Sequence, residues 1–305
     1  MSASQPQAHT WVCVQTLTHH RSWVRSVAIS PDGQFLASGS GDKTVKVWDL
    51  KKGILLHTLT GHTSWVRSLA ISPLGQMVGS TSNDQTIKLW HLPTGKLLKN
   101  LTGHSDWVRA IAFSSNGHII ASGSHDKTIK LWHPNADQPL HTLTGHSHWV
   151  LAVAFSPNGQ LLASGSKDQN IRLWPLYGKE PSRILTGHRD DVLSVAIHPT
   201  GQLLASGSAD GTIKIWKMVS GELLHTLTEH SGAVNCVVFS PNGKALASGS
   251  QDKTIKLWHS ATGKLLSSLT GHLGGVWSVA FSPNGQVLAS GSWDETIKIW
   301  QVRFS

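Results

Sequence analysis

One spacing governs this chain. Histidine recurs at positions 20, 62, 104, 146, 188, 230 and 272, and tryptophan at 48, 90, 132, 174, 216, 258 and 300, always 42 residues apart. The copies follow one another without an insertion, so each occupies the same structural slot. Within a copy the short-range pattern is that of strands. Val66–Ser72 is apolar-rich and runs into Pro73-Leu74-Gly75, a turn whose glycine suits positive φ. A second strand, as in Leu161–Gly165, leads to a short turn such as Lys167-Asp168, and a third, as in Thr254–Trp258, is β-branched. A fourth, as in Leu265–Leu269, follows a Thr-Gly turn. Four short antiparallel strands make a small sheet that cannot bury both faces alone. Seven such sheets stacked around an axis can.

The histidine after Gly, the Leu-Ala-Ser-Gly-Ser strand, the turn aspartate and the Thr-Ile-Lys-Leu-Trp strand resemble WD repeats. The resemblance covers residues 12–304 and implies an all-β, closed seven-bladed propeller forming one domain, with residues 1–11 as a short tail. Only Trp48-Asp49 keeps the name-giving dipeptide, and the glycine before the histidine is His19 in the first copy and Glu229 in the sixth. The near-uniform copies resemble bacterial members of that family more than most eukaryotic ones. The last copy has no fourth strand after Trp300, whereas Val12–Leu17 matches Ile54–Leu59 in its distance from the next histidine. The N-terminal strand is therefore expected to complete the last blade and close the ring, which removes an open end.

Ser, His and Asp recur together, which raises the question of nucleophilic catalysis. Seven identical active sites in one small chain make no chemical sense. The resemblance implies instead a buried network in each blade: His20, Ser38, Asp42 and Trp48; His62, Ser80, Asp84 and Trp90; His104, Ser122, Asp126 and Trp132; His146, Ser164, Asp168 and Trp174; His188, Ser206, Asp210 and Trp216; His230, Ser248, Asp252 and Trp258; His272, Ser290, Asp294 and Trp300. No singular acid–base pair stands outside the repeats. The unrepeated carboxylates near one end of the ring are Asp106, Asp190 and Asp191. No enzyme activity, cofactor or metal is expected. The remaining histidines, His91, His133 and His259 among them, lie on separate blades without zinc-site spacing. Ser40-Gly41-Asp42-Lys43-Thr44 has a strand after it where a phosphate loop needs a helix.

The net charge of +9 also follows the repeat. Lys46, Lys88, Lys130, Arg172, Lys214, Lys256 and Lys298 each stand two residues before the tryptophan, spread around the ring. An even ring is not a groove, which argues against a nucleic-acid partner. No apolar stretch approaches the ~20 residues of a membrane span, and the first ten residues lack the pattern of a signal peptide. Two cysteines, Cys13 and Cys236, make no disulfide framework, so a cytoplasmic monomer is expected.

Function in a repeat protein should lie where the copies differ on an exposed face. Strand alternation puts the turn before strand one and the turn between strands two and three at the same end, which in the WD-repeat family is the usual partner-binding face. Three residues after the histidine the copies read Trp23, Trp65, Trp107, Trp149, Asp191, Ala233 and Gly275. Five after it they read Arg25, Arg67, Arg109, Leu151, Leu193, Asn235 and Trp277. Before the aspartate they read Gly41, Asn83, His125, Lys167, Ala209, Gln251 and Trp293. The candidate partner-binding residues are thus Trp23, Arg25, Trp65, Arg67, Trp107, Arg109, Trp149, Trp277 and Trp293, an arc over blades seven and one to four. Trp and Arg dominate interface hot spots. The expected partner is a protein or peptide of acidic character; the alternative is a carbohydrate or small molecule stacked on the tryptophans.

Overall fold

The computed structural model describes residues 9–176, 181 and 183–304. Four antiparallel strands make each blade, and seven blades form a β-propeller; among the described residues there is no helix. The innermost strands are Val24–Ile29, Val66–Ile71, Val108–Phe113, Val150–Phe155, Val192–Ile197, Val234–Phe239 and Val276–Phe281. The last blade takes its outer strand from the other end of the chain. His9–Leu17 pairs antiparallel with Ile297–Phe304, from His9↔Phe304 to Leu17↔Ile297. Pairing thus begins three residues earlier than position 12, and of the expected tail at 1–11 residues 1–8 lie outside the described residues.

There is no common centre to the core. Apolar side chains of each blade pack on the next, as where Val24, Leu36 and Trp48 of blade one meet Ala289, Ile297 and Ile299 of blade seven together with Leu17. This is why six of the seven second strands read Ala-Ser-Gly-Ser. A Cβ on Gly39 would stand 2.6 Å from Cγ1 of Val66 on the next blade. Alternating large and small residues lets neighbouring blades approach closely.

One irregularity recurs in every blade. The register shifts after the first residue of the innermost strand, between Val24 and Ser26, Val66 and Ser68, Val108 and Ala110, Val150 and Ala152, Val192 and Ser194, Val234 and Cys236, and Val276 and Ser278. The residue inside each bulge is Arg25, Arg67, Arg109, Leu151, Leu193, Asn235 or Trp277. All seven line the central channel, a cavity of about 490 Å³. A bulge re-aims one side chain without breaking the strand, and here it selects the channel-facing member of each blade.

Candidate site at the channel mouth

The His, Ser, Asp and Trp sets come first because they position everything above them. In all seven blades His Nδ1 lies 2.6–2.9 Å from Asp Oδ2. His Nε2 lies 2.7–2.8 Å from Ser Oγ. The Trp indole N–H donates to the same Ser Oγ at 2.8–2.9 Å. A neutral imidazole with its proton on Nδ1 satisfies every member: it donates to Asp and accepts from Ser. The order Ser–His–Asp is that of a hydrolase triad, but Ser38, Ser80, Ser122, Ser164, Ser206, Ser248 and Ser290 are fully buried and already hold an indole. No substrate carbonyl can reach such a hydroxyl. The aspartate also fixes its turn: Asp42 accepts from Arg21 N and from Thr44 N and Oγ1, and so holds Lys43 at φ 70.

Burial holds the imidazoles of His20, His188 and His230 below their ordinary 6.5, against the opposing pull of Asp42, Asp210 and Asp252. Burial opposes ionisation of the aspartates, yet the histidine and backbone bonds outweigh it; Asp168 and Asp210 sit at about 2. Both depressions make the unfolded chain bind more protons than the folded one, so acid destabilises. We expect the melting temperature to fall once the pH drops below about 6.5, where unfolded histidine protonates, and more steeply below about 4 as unfolded carboxylates do. Thermal melts from pH 8 to 3 check this; a melting temperature flat down to pH 4 would contradict it.

Above the networks, the turn before the innermost strand and the turn after the second strand are joined in every blade. The backbone N–H of Gly41 donates to the carbonyl of Trp23, Asn83 to Trp65, His125 to Trp107, Lys167 to Trp149, and Trp293 to Gly275. The side chains that vary between copies are thereby held side by side.

The nine candidate residues form one array. Trp23 meets Trp65 edge-on at 5.2 Å between centroids and Trp293 at 4.9 Å, and Trp293 lies 6.2 Å from Trp277. The Arg25 guanidinium carbon stands 4.0 Å from the Trp277 ring and 5.3 Å from that of Trp23. Arg67 lies between Trp65 and Trp107, at 5.0 and 5.3 Å. Arg109 Nη1 donates to His125 Nε2 at 3.1 Å, and His125 stacks parallel on Trp149 at 3.8 Å. Trp65, Trp107 and Trp293 keep about 40% of their surface exposed, so the array opens to solvent at its rim.

Three residues outside the nine complete it. His125 is clamped between Trp107 and Trp149, Lys167 lies 4.6 Å over Trp149, and Asn83 accepts from Arg67 Nε at 2.6 Å. All three stand in the same variable column as Trp293, and that column was the sequence signal for them. The arginines differ from a surface patch in a second way. Arg67 is only 9% exposed, because the bulge sends it into the channel. Six of the seven repeated cations are engaged elsewhere: Lys46, Lys88, Lys130, Lys214, Lys256 and Lys298 each donate to a side-chain oxygen on the strand outside them.

The family model "WD domain, G-beta repeat" matches residues 11–49, 53–91, 95–133, 137–175, 179–217, 221–259 and 263–301. The chain belongs to the WD40 family. Among similar WD40-type stretches are one in pre-mRNA-splicing factor PRP46 of Yarrowia lipolytica, 45% identical over 56 residues, and one in pleiotropic regulator 1 of Bos taurus, 40% identical over 52. A third, in vegetative incompatibility protein HET-E-1 of Podospora anserina, is 61% identical over 41 residues. These stretches cover 18%, 17% and 13% of this chain and 13%, 10% and 3% of the relatives, so the likeness is that of about one repeat. The relatives are eukaryotic, and the expected bacterial likeness is not borne out.

Proposed function

We propose that this WD40 chain is a non-catalytic scaffold that holds a peptide or protein segment of acidic character at the channel mouth, across blades seven and one to four. WD40 propellers are protein-interaction folds, and the names of the relatives, splicing and regulatory factors, fit that use. The observation that carries the reading is the unbroken array from Trp277 to Lys167, with three guanidiniums set among the rings. Indoles supply large rigid contact area, and guanidiniums desolvated beside them recognise carboxylates and other oxyanions strongly. Buried cations short of acceptors favour an acidic ligand over a neutral sugar, which would leave their charge uncompensated. The test is whether a folded Trp65→Ala/Arg67→Ala/Trp107→Ala/Arg109→Ala variant loses partners that the wild type captures.

A further inference from the structure

The channel mouth has a surplus of hydrogen-bond donors. A guanidinium carries five N–H groups and no acceptor. Among the described residues, Arg67 reaches Asn83 and Arg109 reaches His125. The buried Nε of Arg25 and the buried indole Nε1 of Trp277, in the same cavity, have no partner. No described carboxylate comes within 4 Å of any of the three arginines; Asp191, whose charge acts on Arg109, is 3.9 Å from Lys167 Nζ. Burial, together with the charge of Arg109 on Arg25 and the charges of Arg109 and Arg25 on Arg67, pushes these guanidiniums down from their usual value. Burial and Arg109 likewise push His125 down to about 4, so it accepts from Arg109 as a neutral ring. Arginine stays charged at neutral pH. The fold therefore holds three cations together, on three consecutive bulges, with no described carboxylate in contact with any of them.

We infer that Arg25, Arg67 and Arg109 form a subsite for a tetrahedral dianionic oxyanion, a phosphoryl group, at the mouth of the channel. A single carboxylate brings one charge and two oxygens. A phosphoryl group brings a charge of about −1.5 to −2 and three strong acceptors, which fits three guanidiniums lining one cavity and the orphaned donors beside them. The cavity of about 490 Å³ has room for such a group and for the segment that carries it. The inference rests on the scaffold reading only for its second source, a phosphorylated side chain of the bound polypeptide; the first source is free phosphate.

The experiment follows thermal melting of the full chain in phosphate-free buffer, with sodium phosphate and sodium acetate added at matched ionic strength. Phosphate is expected to raise the melting temperature in a saturable way and acetate to leave it unchanged. Arg67→Gln is expected to melt higher than wild type without phosphate, because it removes an uncompensated buried charge. It should also bind phosphate about ten- to a hundredfold more weakly, the loss of one or two charge-assisted bonds. Arg25→Gln supplies the same comparison if Arg67→Gln does not fold. Phosphate without effect, an equal response to acetate, or a response retained in both variants overturns the subsite. A short phosphoserine peptide that binds at least tenfold more tightly than phosphate, and more tightly than its unphosphorylated form, assigns the group to a polypeptide. Equal affinity for peptide and phosphate assigns it to the free ion. Failure here would leave capture of a partner by the tryptophans untouched, so the two readings fail separately.

Discussion

A chain lacking residues 1–18 should lose its soluble monomer peak in gel filtration. The ring has no covalent closure: its two ends are joined by the pairing of His9–Leu17 with Ile297–Phe304. Removing the first strand takes Leu17 out of the core between blades seven and one and Thr16 away from Lys298 Nζ. It also strips Trp11 from its edge contact with Phe281. What remains is a blade of three strands with the open, β-branched edge of Ile297–Phe304, next to a joint held by side-chain packing and the bond that Val27 N–H donates to Ser278 Oγ. The lost backbone ladder and apolar burial amount to several kcal/mol, on the order of a domain's whole net stability of ~5–15 kcal/mol. Aggregation, or a large drop in melting temperature, is the expected result, since open hydrophobic edges recruit one another. A truncated monomer that melts with the full chain would show that the ring does not depend on this strand.

Replacing Trp132 by alanine should be the most damaging single change. Trp132 is fully buried, donates to Ser122 Oγ at 2.8 Å and packs edge-on to His104 at 6.1 Å. Truncation leaves a cavity where blades two and three meet, at a cost of about 3–5 kcal/mol. Trp132→Phe separates the two contributions. It keeps most of the ring and loses the N–H, so Ser122 falls back on its bond to His104; about 1 kcal/mol for the hydrogen bond is expected, plus a small packing loss. Urea unfolding of both variants measures the difference. Equal destabilisation by Phe and Ala would mean that the hydrogen bond, not the packing, carries the effect.

The fold was legible because its information is repeated. A single Leu-Ala-Ser-Gly-Ser segment is ambiguous, but seven such strands, exact or with substitutions, in phase with seven of the Thr-Ile-Lys-Leu-Trp kind admit one architecture. The N-terminal strand was legible too, since its distance to His20 matches that of its counterparts; its extra residues at His9–Trp11 were not, because pairing to Val302, Arg303 and Phe304 has no equivalent in the other copies. At the mouth, the variable columns identified which residues differ. They did not reveal the bulge that turns every second-column residue inward, because a bulge is a relation between two strands and leaves no mark on one. Arg67 in a Trp-Val-Arg-Ser stretch reads as a solvated charge. It is buried because Val66 and Ser68 keep their partners while the residue between them is pushed out of register. The same limit hid His125: its clamp between Trp107 and Trp149 depends on two blades meeting.

Whether the channel mouth is the partner surface is decided by affinity capture from cells that make this protein. Three baits are compared: wild type, the Trp65→Ala/Arg67→Ala/Trp107→Ala/Arg109→Ala variant, and a Leu74→Ala/His118→Ala variant of the turns that follow the innermost strands, at the opposite end of the channel. Circular dichroism and melting first establish that all three are folded. Partners retained by the wild type and the Leu74/His118 variant should be lost from the mouth variant, by about 2 kcal/mol or more for each hot-spot side chain removed. Identical partner lists from the wild type and the mouth variant would contradict this and move the interaction surface off the channel mouth.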